Sequence, residues 1–219
     1  MQNPFFIGGF MYTALELRTL NIKPRINDIS LKILSEYYQM FLAPFIYNYH
    51  IVSKTEEKDI KLNFELENFC HLLGVESTVK NSVPFRELHN YRGKDGWNNI
   101  HNQTIDIRHL KKINKSKFNS IKAKYVYFYL LPNLIESPLC VNYDIRNVNK
   151  STTIDCEILF YSKVENDNAI IHLGIQEDNS GKYFPKTFFI EKVSNSKDDV
   201  FVANQQKITV TIEKRIIML

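Results

Sequence analysis

The chain has 219 residues, 44% of them hydrophobic and 24% charged, with a net charge of +4 and a pI near 8.8. This composition excludes an intrinsically disordered chain, and no apolar run approaches the ~20 residues of a membrane-spanning helix. Three widely spaced cysteines, Cys70, Cys140 and Cys156, exclude a disulfide framework and a zinc ribbon and read as buried small hydrophobes in a reducing compartment.

Residues 1–24 form a lead segment with little pattern. Its apolar start is broken by Pro4, Gly8 and Gly9 and lacks a basic lead, so it does not read as a secretory signal, and a cytoplasmic location is expected. Ser30 and its neighbours are helix N-cap candidates. Leu31, Ile33, Leu34, Tyr37, Tyr38 and Phe41 then recur at the spacing of an amphipathic helix, which Pro44 ends. The β-formers from Phe45 to Val52, a charged turn over 54–59, and the alternation of Ile60, Leu62, Phe64 and Leu66 predict a β-hairpin.

Phe69 to Leu73 predicts a short helix with Gly74 as its C-cap. Residues 76–102 carry turn signals, notably Arg92-Gly93-Lys94-Asp95-Gly96-Trp97. Helices follow over about 104–112 and from Phe118 towards Glu136, the latter kinked or ended at Pro132. Then come four β-rich segments: Ile154–Tyr161, Ala169–Gln176, Tyr183–Glu191 and Ile208–Ile217. The polar turns between them, over 165–168, 177–181 and 194–199, favour an antiparallel meander. The expected fold is α+β: N-terminal helices and a β-hairpin followed by a four-stranded antiparallel sheet. One domain over 1–219 is expected, with 1–66 a helix–hairpin elaboration and 67–219 the core.

Gly-rich phosphate loops, GxSxG elbows, HExxH motifs and carboxylate clusters suited to two-metal hydrolysis are missing from the sequence, and no metal or cofactor is expected. Two separated segments carry groups suited to phosphodiester chemistry. The first is Asn68-Phe69-Cys70-His71-Leu72-Leu73-Gly74, whose imidazole moves protons near neutral pH. The second is Tyr183-Phe184-Pro185-Lys186-Thr187-Phe188-Phe189, with a cation and two hydroxyls. RNA supplies its own nucleophile, the ribose 2′-hydroxyl. Cleavage therefore needs a base, an acid and donors to the charged phosphorane.

Strict strand alternation puts Tyr183, Pro185, Thr187 and Phe189 on one face and Lys186 on the other, unless a bulge intervenes; Pro185 is a sign of irregularity. His172, out of phase with Ile171, Leu173 and Ile175, is expected on a solvated face, and His50 is expected to be structural. Arg108, Lys111, Lys112, Lys115, Lys117, Lys122 and Lys124 form a dense basic stretch that fits an RNA backbone or an ordinary solvated helix surface.

The order of these segments resembles the phage-associated Barnase–EndoU–colicin E5/D–RelE-like nucleases, found in prophages and mobile elements. The resemblance runs from about residue 30 to the C-terminus. It rests on Phe69-x-His71-Leu72-x-Gly74, on Tyr183-Phe184-Pro185-x-Thr187-Phe188-Phe189, and on the segments 118–131, 154–161, 170–175 and 205–214. It implies helices followed by an antiparallel sheet, and an RNase that is toxin-like or directed at a host. His71 matches the histidine of the first signature and Thr187 the hydroxyl of the second. Relatives often carry basic residues directly after the glycine. This chain has Val75-Glu76-Ser77-Thr78 there, and Lys80 is the nearest substitute.

The resulting expectation is a metal-independent endoribonuclease with His71, Thr187 and Tyr183 catalytic. Lys186, Lys80, Arg108, Lys111 and Lys112 would contact RNA phosphates. The alternative is a non-catalytic nuclease-like scaffold that binds a protein partner, either an antitoxin or a host defence complex such as CRISPR.

Overall fold

A computed structural model describes residues 11–54, 56–164, 166–193 and 199–216. The start of the lead segment, Thr55 and Glu165 of two expected turns, most of the 194–199 turn and the last residue of the final expected strand lie outside these.

Helices α1 (Ala14–Arg18) and α2 (Leu31–Phe41) come first. Ser30 caps α2, its hydroxyl accepting from the Ile33 amide at 3.1 Å. The buried stripe is Leu31, Leu34, Tyr37 and Tyr38. Both phenols find carbonyl partners inside the core, Tyr37 at Tyr129 (2.6 Å) and Tyr38 at Glu65 (2.7 Å), so neither is buried unsatisfied. Strands β1 (Phe45–Val52) and β2 (Glu57–Asn63) make the expected hairpin, with Tyr47, Tyr49, Ile51, Ile60 and Leu62 turned inward.

Next come α3 (Asn68–Leu73) and α4 (Val75–Val79), joined at Gly74. With φ at 70°, Gly74 adopts the left-handed conformation that ends α3. A 3-10 turn (Phe85–Tyr91) and α5 (Gly93–His101) occupy the stretch expected as turns. The burial of Trp97 and Ile100, three residues apart, outweighs the poor helix propensity of Gly93 and Gly96. Helices α6 (Ile107–Ile113), α7 (Lys115–Tyr127) and α8 (Leu131–Glu136) follow. Pro132 sits in the first turn of α8, where its missing N–H costs nothing; the helix expected to kink or end there is interrupted just before it, by a 3-10 turn over Phe128–Leu130.

The strands β3 (Leu139–Asn142), β4 (Ile158–Lys163), β5 (Ala169–Glu177), β6 (Tyr183–Lys192) and β7 (Gln206–Ile216) complete the chain. The expected four-stranded sheet is not what forms. The described strands close into a seven-stranded barrel in the order β1-β2-β6-β5-β4-β3-β7. Only β4-β5-β6 is the antiparallel meander that the short turns imply. Strand β7 pairs instead with β1, from Phe45↔Ile216 to Val52↔Thr209, and with β3. The circle closes at one parallel pairing, Leu62↔Tyr183. Closure removes the free edges that an open four-stranded sheet would present.

The main core joins inward strand residues such as Tyr49, Phe160, Leu173 and Phe188 to helix residues such as Leu34, Phe69 and Phe128. A second cluster lies on the outer face of β3–β6: Val141, Tyr143, Cys156, Leu159, Phe201 and Val202. Among the described residues, no helix is long and apolar enough to cross a membrane.

Candidate active site

Strand β6 is not regular. Gly174 of β5 pairs with Thr187 and Ile175 with Pro185, which leaves Lys186 as the extra residue of a β-bulge. The bulge resets the alternation. Tyr183 and Phe188 join the main core, whereas Lys186 and Thr187 both turn to the outer face. Tyr183 and Thr187 therefore do not share a face as strict alternation predicts. Thr187 lies against Gly174 so closely that a Cβ there would stand 2.8 Å from the threonine methyl and 2.8 Å from Cys156 Sγ.

Helix α3 packs against β6 and brings the two signature segments together. Phe69, Cys70, Leu72 and Leu73 are buried, which leaves His71 on the exposed side. Its Nε2 stands 2.6 Å from the carbonyl oxygen of the bulged Lys186. A carbonyl can only accept, so Nε2 carries the proton and donates it. In the neutral ring Nδ1 then holds a free lone pair, and it has no partner among the described residues.

Around the bulge runs a polar chain. Lys186 Nζ donates to Asp155 Oδ2 (2.8 Å) and Gln176 Oε1 (3.3 Å). Gln176 Nε2 donates to Glu157, whose carboxylate lies near the Tyr183 hydroxyl and helps raise its pKa. Lys58 Nζ donates to the same phenol at 3.1 Å. Tyr183 is 3% exposed, and burial pushes its hydroxyl up to about 12. It is a protonated, anchored group beneath the site. Asp155, Glu157, Gln176 and Lys58 escaped sequence reasoning; Lys58 lay in a stretch read as a turn, and nothing local marked the others.

Lys124 of α7 completes the far side of α3. Its Nζ donates to the Leu72 carbonyl at 3.3 Å, and burial, with a smaller contribution from Lys117, lowers its pKa to about 8. Lys80 ends α4, and Arg108, Lys111 and Lys112 lie on α6, which packs against α4. These cations sit on the helical side beyond α3 and do not touch His71 directly.

His172 overturns the expectation of a solvated residue. It is fully buried on the outer face of the barrel, with Nε2 2.6 Å from Asp199 Oδ2. Its ring stacks flat on Phe189, centroids 4.4 Å apart. The second apolar cluster and the chain around Asp199 and Phe201 cover it. His50 is exposed and bonds Asp59 at 2.9 Å.

A family model described as phage-Barnase-EndoU-ColicinE5/D-RelE like nuclease4 matches residues 31–217. That span includes α3, the bulged β6 and the whole barrel. Neither the curated proteins nor the solved structures yield a match.

Proposed function

The chain belongs to the phage-Barnase-EndoU-ColicinE5/D-RelE like nuclease4 family, and from that premise we propose that it is a metal-independent endoribonuclease acting at His71. The observation that carries this reading is the 2.6 Å contact between His71 Nε2 and the Lys186 carbonyl. It joins two segments 115 residues apart and leaves Nδ1 open as a base.

Nδ1 takes the proton of a ribose 2′-hydroxyl, and the 2′-oxygen bonds to the adjacent phosphorus. The bond from phosphorus to the 5′-oxygen breaks, and that oxygen takes a proton from water. The product is a 2′,3′-cyclic phosphate. In this proposal the donors to the phosphorane oxygens are the Lys186 ammonium and the Thr187 hydroxyl, which flank the backbone carbonyl that His71 contacts. Asp155 is exposed, so a phosphate can replace it at Lys186. Tyr183 contributes by anchoring the start of β6 through its hydrogen bond from Lys58. Lys80, Arg108, Lys111 and Lys112 supply affinity for the RNA backbone. We place its source in a phage or mobile element, with a toxin-like role in the cytoplasm.

The test is cleavage of total RNA and tRNA in EDTA by wild type beside His71→Ala and Thr187→Ala, each checked for folding by circular dichroism. Loss of a cyclic-phosphate-generating activity in both variants supports the reading. Intact RNA at high wild-type concentration sinks it.

One observation favours a second reading. Lys186 is already ion-paired and Tyr183 is buried, so the scaffold offers few free donors at its centre. A non-catalytic scaffold that binds an antitoxin or a host defence complex fits that arrangement. Stable complex formation with a defence nuclease, unaffected by His71→Ala, is its signature.

A further inference from the structure

The described residue with the most exposed large apolar side chain is Phe85, at 83%. It opens the 3-10 turn between α4 and α5, directly after Pro84 and before Arg86. Two contacts fix its surroundings. Asn114 Nδ2, at the end of α6, donates to the Ser82 hydroxyl at 3.2 Å, three residues before Phe85. At the other end of the turn, Tyr91 OH meets His109 Nε2 of α6 at 2.9 Å, and the two rings stack. Phe85 is thus carried on a segment pinned at both ends to the basic helix α6.

The charge around it is lopsided. From Lys80 to Lys124 there are eleven lysines and arginines against three acids, Glu87, Asp95 and Asp106. A chain of net charge +4 therefore carries its whole positive excess on this helical side. Outside this stretch acids outnumber lysines and arginines, and several cations are ion-paired, as at Lys23–Asp167, Lys150–Glu191 and Lys214–Glu136. Among the described residues, Lys80, Arg86, Arg108, Lys112 and Lys115 form no ion pair within 4.0 Å.

An exposed phenyl ring next to Arg86, on a segment tied to the cation-bearing helix α6, is poorly placed in water and well placed against a polyanion that also presents flat apolar faces. Single-stranded nucleic acid offers both, a charged backbone and unpaired bases free to stack, whereas bases within a duplex are already stacked. We propose that Phe85 is a base-stacking platform and that the substrate is single-stranded RNA, held along Lys80, Arg86, Arg108 and Lys112. This deepens the ribonuclease reading and rests on it for the identity of the nucleic acid. It adds a binding group outside both signature segments.

The test is equilibrium binding in EDTA of a labelled single-stranded RNA oligonucleotide, and of the same sequence as a duplex. The proteins are His71→Ala and the doubles that add Phe85→Ala or Phe85→Trp. Phe85→Ala should weaken single-strand binding about tenfold, Phe85→Trp should restore it, and duplex binding should not respond to either. Equal single-strand affinity with and without Phe85, or an equal loss for duplex, overturns the proposal. Cleavage by the otherwise wild-type chain is measured in parallel. Phe85-dependent binding without cleavage leaves this inference standing and removes the catalytic reading. Cleavage whose KM ignores Phe85→Ala does the reverse.

Discussion

His71 donates through Nε2 to the carbonyl of Lys186, and Lys186 is the residue that the β5–β6 ladder leaves over. A bulge takes its extra residue out of regular pairing, and here an imidazole from another element meets that residue's carbonyl. One local irregularity thus orients the candidate base and turns Lys186 and Thr187 to the same face.

At the proposed site, the Lys186–Asp155 ion pair would compete with phosphate for the ammonium. Asp155 is mostly exposed, so removing its charge costs little stability. Asp155→Asn should tighten RNA binding several-fold and lower KM while leaving the melting temperature within a degree or two. Titration of His71→Ala and His71→Ala/Asp155→Asn with an RNA oligonucleotide checks it, and unchanged affinity would remove Lys186 from the phosphate site.

Gly174 is held to a hydrogen side chain by Thr187 and Cys156, each 2.8 Å from where a Cβ would lie. Gly174→Ala should destabilise the protein by about 1–3 kcal/mol. It should also displace Thr187, lowering kcat in the fraction that remains folded. Thermal unfolding and single-turnover cleavage on the same sample separate the two effects.

Asp199 is the hydrogen-bonding partner of a fully buried imidazole. Asp199→Ala leaves His172 without it and should cost about 1–3 kcal/mol, the scale of a buried polar group left without its hydrogen bond. Urea denaturation measures it. A loss below ~1 kcal/mol would show that the second cluster holds its cover by apolar contact alone.

Alkaline pH acts on two sets of groups with opposite sign. Lys124 titrates at about 8 when folded and near 10.5 when unfolded, so between these values the unfolded chain holds a proton the folded chain has lost. Stability therefore gains with pH from this group. Cys70 and Cys156 are pushed by burial from 9.0 to about 12, so above pH 9 the unfolded chain sheds protons the folded chain keeps, and stability falls. Comparing wild type with Lys124→Met cancels the thiols. Between pH 7.5 and 10 the difference should move in favour of wild type by about 1–3 kcal/mol.

Local pattern made α2, the hairpin, α3 with its Gly74 cap, and β4 to β6 legible, because each declares itself within a dozen residues. The barrel was not legible. The pairing of Phe45 with Ile216 joins distant parts of the chain, and nothing in either strand specifies the other. Helix α5 was hidden by Gly93 and Gly96, whose turn propensity yields to the burial of Trp97. At the site, His71, Lys186 and Thr187 stood out by residue type, and Pro185 warned of irregularity in β6. The parity change itself depends on the β5 register, so alternation along one strand misplaced Thr187 relative to Tyr183. His172 read as solvated for a related reason: its alternation put it outside the barrel, but the cover over that outside is supplied by Asp199 and Phe201.

The single Leu62↔Tyr183 pairing makes the ring of strands a bracelet with a clasp. Every other junction is a ladder several residues long, whereas this one has the least backbone bonding to lose. Spontaneous opening should begin there, and deuterium should enter the Leu62 and Tyr183 amides before those of β5. The clasp lies three residues from Lys186 along β6. A nucleic acid strand settling beside His71 would thus rest against the most compliant part of the wall, and its binding should slow that exchange.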